Sequence, residues 1–206
     1  NDTINISFPD FLRRTQEKDV KYFYYLQETL SNHSELSEDF KEWDWSYILN
    51  YVKTHKWGLP ERNLLLVGMK EATTPTHYDE QQNMYCQISG TKEVILYSPK
   101  CWDQMYTFPV GHPCDRQCMV QIKKPNLERC PRFANAKGIR AVLQPGDMLF
   151  IPAMWFHYFR NLDNLSTSVS FWCRQPSPEK VVFPLPDATL VSVRRNMEML
   201  EMGYQY

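Results

Sequence analysis

From Asn63 onward the chain reads as a succession of short apolar runs of strand length, each broken by a turn. Leu64 to Gly68, Asn83 to Ser89, Glu93 to Ser98, Ile139 to Leu143, Met148 to Ile151 and Thr167 to Trp172 are the runs. A turn containing Gly90 separates the second from the third, in the manner of a hairpin, and Gln144-Pro145-Gly146-Asp147 leads into the fifth. Strands this short cannot bury a face alone, so they must pack as two sheets or close into a barrel. With helical patterns before and after them, they predict a mainly β fold with flanking helices.

The first third reads as helical. Phe8, Phe11, Leu12 and Thr15 begin a periodic pattern that continues through Val20, Phe23, Tyr24 and Leu30, and Pro9 suits a helix start. A second short helix is expected from Trp45 to Lys53, ended by Gly58-Leu59-Pro60. The organisation is therefore an N-terminal helical part, residues 1–60, packing on a β core, residues 61–175. Residues 101–135, rich in Pro, Cys and charge without clear period, form an insertion in that core. Residues 176–206 hold a linker marked by Pro176, Pro178, Pro184 and Pro186, then an amphipathic helix. Its stripe of Leu190, Val193, Met197 and Leu200 must be buried, either on its own domain or against another subunit as a homodimer.

Composition narrows the function classes. At 206 residues and 43% hydrophobic, the chain can bury one real core. The 23 basic and 24 acidic residues balance to a net charge of -1, which gives no bulk electrostatic reason to expect a nucleic-acid partner. There is no apolar run of about 18 residues, so no membrane span is expected. Residues 1–9 have neither the basic start nor the apolar core of a signal peptide, and with no initiator Met they read as the start of a piece of a longer protein. The six cysteines contain no C-x-x-C pair, and Cys86 and Cys173 sit in apolar runs as buried thiols. A reducing compartment follows, the cytoplasm with the nucleus also open.

The chemistry concentrates in Thr74-Pro75-Thr76-His77-Tyr78-Asp79-Glu80-Gln81-Gln82-Asn83. In an extended segment His77 and Asp79 point the same way, with Gln81 and Asn83 continuing that face. An imidazole and a carboxylate so placed can reach one metal ion. A second His would complete a two-His, one-carboxylate face with open positions, the ligand set of non-haem iron. Among His33, His55, His112 and His157, the last follows the apolar strand Met148 to Pro152 and is the one a β core would hold rigidly. By itself the H-x-D spacing is weak evidence. Lys92 adds to it, because it shares a strand face with Val94 and Leu96. A lysine there is costly unless an anion compensates it, and a dicarboxylate deep in the core would. Snorkelling to the surface, or an outward face, are the alternatives.

These residues, together with His112-Pro113-Cys114-Asp115-Arg116-Gln117, Pro145-Gly146-Asp147, Ile151-Pro152 and Tyr25 to Leu30, resemble the JmjC class of 2-oxoglutarate oxygenases. Within it, the resemblance is to the asparaginyl hydroxylases, of which factor inhibiting hypoxia-inducible factor is the type. It extends from about Phe8 to Leu200. It implies a double-stranded β-helix, the jelly-roll or cupin-like JmjC core. It also implies that His77, Asp79 and His157 bind Fe(II) at the catalytic centre. Lys92 would pair with the distal carboxylate of the cosubstrate 2-oxoglutarate, helped by Tyr25 and Thr74, while Asn83 sits beside the proximal carboxylate. Ser170 stands at the cosubstrate position where the family carries Asn. Gln81, Arg116 and Gln117 would hold the target's side-chain amide and Trp172 would wall the pocket. With O2 as the second cosubstrate, the implied substrate is an extended protein or peptide segment of hypoxia-inducible factor or an ankyrin-repeat protein. Ile151 to His157 looks closer to the JmjC hydroxylase that modifies wybutosine in transfer RNA. That reading, a lysyl demethylase and a non-catalytic cupin-like binding module are the competitors.

Overall fold

The computed structural model describes residues 3–17, 21–32, 34–175 and 184–203. Two antiparallel sheets face each other. One has five strands: β1 (Tyr25–Thr29), β2 (Pro60–Met69), β9 (Leu165–Cys173), β4 (Gln82–Ser89) and β7 (Met148–Ile151), in that spatial order. The other has four: β3 (Thr73–Tyr78), β8 (Phe156–Asn161), β5 (Lys92–Tyr97) and β6 (Gly138–Leu143). Leu64, Leu66, Tyr85, Val94, Leu96, Leu143, Ile151 and Phe159 fill the space between them. Removing that apolar surface from water is what holds the sheets together.

The chain changes sheet at its turns. The Gly90 turn was expected to close a hairpin, but β4 pairs with β7 and β9 while β5 pairs with β6 and β8. It is a corner between sheets, and Gly90 is required there. Its φ is +67°, and an added Cβ would run into the Leu165 carbonyl oxygen. The turn at residues 144–147 makes a second corner, from β6 to β7. There the Asp147 carboxylate accepts from the Gln144 amide at 2.7 Å and Gly146 takes a φ of +92°.

Helices cover the outside. Helix α1 (Phe8–Thr15) starts as expected, with Ser7 capping the Asp10 amide and Pro9 in the first turn. The helical pattern does not continue to Leu30, however. Tyr25–Thr29 is strand β1, paired with Leu64–Gly68 of β2, and Val20 lies outside the described residues. Pairing with β2 outweighs a weak local period, as often happens at a sheet edge. The division at residue 60 is therefore not structural, because β1 from the first part completes the larger sheet.

Helix α2 (Ser34–Lys41), which the sequence pattern did not single out, and α3 (Ser46–His55) lie on the outer face of that sheet. Phe40, Trp43 and Trp45 surround the fully buried Phe171 ring, with centroids 5.5, 5.4 and 5.3 Å away. The insertion at 101–135 is mostly irregular, with one turn of helix, α4 (Trp102–Met105), and a 3₁₀ turn at Pro131–Asn135.

Pro176 and Pro178 lie outside the described residues, and beyond them α5 (Asp187–Glu201) docks on the β3 side of the molecule. The face that docks is not the expected stripe. Val191 and Arg195 are buried, whereas Leu190, Val193, Met197 and Leu200 are exposed. Val191 and Ala188 pack into the core on this face, and the ion pairs of Arg195 with Glu80 and Asp115, which no apolar pattern reveals, hold it there.

Candidate metal and cosubstrate site

His77 on β3 and His157 on β8 are direct cross-strand partners, so the sheet itself brings them together, ring centroids 4.2 Å apart. Asp79 follows the end of β3. Its backbone carbonyl accepts from the Met154 amide at 2.7 Å, and the Gln82 side chain accepts from the Ala153 amide, so the 79–82 and 152–155 segments brace each other. One donor atom from each of the three residues lies within 4.8 Å of the others.

The local chemistry fits a divalent metal. Each ring sets its Nδ1 against a backbone carbonyl, Pro75 at 2.9 Å for His77 and Trp155 at 3.0 Å for His157. With Nδ1–H donating there, each Nε2 keeps its lone pair for a metal. The Asp79 oxygens lie 3.8 Å from His77 Nε2 and 3.5 Å from His157 Nε2. Asp79 Oδ2 is buried without a hydrogen-bond partner, an orphan acceptor of the kind a cation satisfies. Burial works to raise the Asp79 carboxyl, but His157, His77 and Arg116 outweigh it and hold it at about 2. Burial and the neighbouring His157 push His77 down to about 4. At neutral pH these two groups are thus a carboxylate and a neutral imidazole, the forms that bind metal. Two imidazoles and one carboxylate form the facial set suited to iron(II).

Beside the triad is a narrow cleft lined among others by Tyr25, Thr74, Asn83, Tyr85, Ser170 and Trp172. Asn83 on β4 and Ser170 on β9 are diagonal neighbours across the ladder, with the Ser170 hydroxyl donating to Asn83 Oδ1 at 2.7 Å. Tyr25 and Thr74 are hydrogen-bonded, and burial raises the Tyr25 phenol to about 12. Lys92 points inward with Val94 and Leu96 and is 1% exposed. It does not wall the cavity itself. Its Nζ donates to the Tyr85 hydroxyl at 2.6 Å and to Ser168 at 2.9 Å. Burial lowers this ammonium to about 7.

Tyr85 was not foreseen, since on an apolar run it reads as one more core aromatic. Its hydroxyl is the group that presents Lys92 to the cavity, and its ring stacks on Phe159 with centroids 4.4 Å apart.

The residues expected to hold a target side chain are only partly gathered. Arg116, at a φ of +66°, brings its guanidinium 3.5 Å from Asp79 Oδ1. Gln117 forms a backbone bridge with His77. Gln81 sits in the bend before β4 and does not line the cavity; the chain turns at the end of β3, so the face of His77 and Asp79 does not run on to it. Trp172 does line the cavity, and its buried Nε1 has no partner.

A jelly roll with a His-x-Asp pair and a distant His at one opening defines the cupin class of β proteins. The chain belongs to the cupin-like domain family, whose model matches residues 1–179. It is similar to tRNA wybutosine-synthesizing protein 5 of Danio rerio, 39% identical over 103 residues, which are 50% of this chain and 30% of that protein. It is similar to Lysine-specific demethylase 8 of Xenopus tropicalis, 39% identical over 105 residues, or 51% of this chain and 23% of that protein. It is also similar to HSPB1-associated protein 1 of Rattus norvegicus, 30% identical over 162 residues, or 75% of this chain and 30% of that protein. The matches thus span less than a third of each relative's length.

Proposed function

We propose that this chain is the catalytic core of an iron(II)- and 2-oxoglutarate-dependent oxygenase that hydroxylates the side chain of an extended protein segment. The supporting observation is the pairing of a His77, Asp79, His157 metal set with a buried, carboxylate-free Lys92 held directly behind Tyr85, which lines the same cavity. A metal set alone would serve many reactions. An inward lysine adds a demand for an anion of definite length, which 2-oxoglutarate meets.

His77, Asp79 and His157 would hold the iron. Bound with 2-oxoglutarate and dioxygen, iron supplies the oxidising power to hydroxylate an unactivated C–H bond, leaving succinate and carbon dioxide. The chain's own work is positional. Tyr85, Tyr25 and Thr74 offer hydroxyls to the distal carboxylate, with the Lys92 charge directly behind Tyr85. Asn83 and Ser170 meet the proximal end. Trp172 excludes water from one wall, and Arg116, beside Asp79, meets the target. An asparaginyl side chain is the proposed target, with Arg116, Gln117 and Gln81 as the amide-reading set. Hypoxia-inducible factor and ankyrin-repeat segments are the substrates that this reading names.

A second reading, hydroxylation of a modified transfer-RNA base, is supported by the similarity to the zebrafish wybutosine-synthesizing protein. Pairing of two copies through α5 belongs to the first reading, supported by the exposure of Leu190, Val193, Met197 and Leu200. So does a cytoplasmic or nuclear place of action, supported by six free thiols.

The test is mass spectrometry of an asparagine-containing ankyrin-repeat peptide after incubation with the protein, iron(II), 2-oxoglutarate and ascorbate. Gain of one oxygen on the asparagine, absent without 2-oxoglutarate, supports the proposal. Succinate formation without peptide oxidation, together with oxidation of a transfer RNA substrate, moves the conclusion to the second reading. Absence of succinate with every substrate overturns the oxygenase reading.

A further inference from the structure

Helix α5 meets the metal-binding end of the jelly roll through Arg195. Its guanidinium makes a two-pronged pair with Asp115, Nη1 and Nη2 each 2.7 Å from one carboxylate oxygen. Its Nε reaches Glu80 at 2.7 Å, and the Tyr78 phenol is a further hydrogen-bond partner. The residue is only 9% exposed, and a charge so buried persists only because these acceptors surround it.

The partners carry the argument. Along the segment from 77 to 80, His77 and Asp79 face the metal position, and the intervening residues Tyr78 and Glu80 face the other way. Arg195 therefore grips the back of the two residues whose front neighbours are ligands. Asp115 likewise precedes Arg116, whose carbonyl accepts from the Tyr78 amide at 3.2 Å and whose guanidinium approaches Asp79. Asp79 lies beyond the last residue of β3, where ladder hydrogen bonds no longer fix the backbone. The Met154 amide bond to the Asp79 carbonyl braces the segment from one side, and the rigid fork of donors joining 78–80 to 115 braces it from the other.

We infer that Arg195 is a positioning residue for the metal-binding segment, so that docking of the C-terminal helix sets the placement of Asp79 and Arg116. It touches neither metal nor substrate. Its role concerns the site proposed above and rests on that reading as far as the metal is concerned. The expected consequence of losing an outer partner of this kind is a metal affinity roughly 10-fold to 100-fold weaker.

The experiment compares the wild-type chain with Arg195→Leu, Arg195→Lys and, as a control, Arg194→Ala. Arg194 sits on the same helix but pairs with Asp103 and Glu198, away from the ligands. Two quantities are read: the Mn(II) dissociation constant by electron paramagnetic resonance, and amide hydrogen exchange of the 76–82 and 113–118 segments without metal. Arg195→Leu should weaken Mn(II) binding by the factor above and speed exchange in both segments. Arg195→Lys, which keeps the charge but not the fork, should fall between, and it carries the test if the leucine variant does not fold. Arg194→Ala should change neither.

Unchanged Mn(II) affinity and exchange in Arg195→Leu would overturn the inference. Equal loosening by Arg194→Ala would do so too, since any helix contact would then serve. If the wild type binds no Mn(II) while the exchange differences appear as stated, the oxygenase reading fails and the positioning role stands.

Discussion

Replacing Lys92 with methionine should make the metal-free protein more stable while abolishing its affinity for 2-oxoglutarate. Burial lowers the Lys92 ammonium from 10.5 to about 7 without a compensating carboxylate. At about 1.4 kcal/mol per pH unit, holding it charged in the fold costs roughly 4–5 kcal/mol. The sign follows from the proton count. Between pH 7 and 10.5 the unfolded chain carries the proton on this lysine and the folded chain does not, so the Lys92 contribution to stability rises with pH through that window. The full penalty applies below pH 7. Tyr25, Tyr85 and Cys86, all raised by burial, oppose this rise toward its alkaline end as their unfolded counterparts ionise, but they are common to both proteins and cancel in the difference.

Methionine fills a similar volume and removes the charge. It strips the Tyr85 hydroxyl of its donor, a loss of about 1–3 kcal/mol, while Ser168 keeps its bond to Gln87. The net expectation at pH 6 is a variant about 2–3 kcal/mol more stable than wild type, the advantage shrinking to near zero at about pH 9. Urea unfolding of both proteins in chelator at pH 6, 7.5 and 9 measures it. A methionine variant less stable at pH 6, or a difference that does not change with pH, would refute the reasoning.

Asp79→Ala should keep the circular dichroism of the wild type but lose the rise in melting temperature that Mn(II) produces, because the stabilisation is ligand linkage and not packing. Tyr85→Phe should raise the 2-oxoglutarate dissociation constant roughly tenfold to 100-fold, read by calorimetry, since one charge-assisted hydrogen bond is lost and the ring stack on Phe159 is kept. Phe171→Ala should cost about 3–5 kcal/mol in urea unfolding, because Phe40, Trp43 and Trp45 lose the ring they surround.

The metal set was readable in the sequence because an extended His-x-Asp presents two donors to one side and only His157 follows a core strand. Lys92 was readable because charge on an apolar strand face demands an explanation. The misses have physical causes too. Strand β1 is defined by a partner more than thirty residues away, so its own pattern says little. The Gly90 turn looks the same whether it joins strands of one sheet or turns a corner, since the distinction lies in where β7 and β9 arrive. Helix α5 displays an apolar stripe but docks by Ala188, Val191 and Arg195, so hydrophobic period chose the face left in solvent. Tyr85 hides among core aromatics because its hydroxyl, not its ring, is the informative part.

The cross-strand contact of His77 with His157 has a consequence for how the protein comes into being. During synthesis from the N-terminus, residues 77 and 79 leave the ribosome long before residue 157 exists, and the cavity gains its last wall only at residues 170 and 172. A nascent chain therefore has no place to capture metal early. Strand pairings this distant in sequence are also slow to form, because loop closure comes before any contact rewards it. On the proposed function, metal loading is then a late event that reports on a finished fold, and a chain stalled or truncated before residue 157 presents a bare His-x-Asp pair, too few donors to hold an ion.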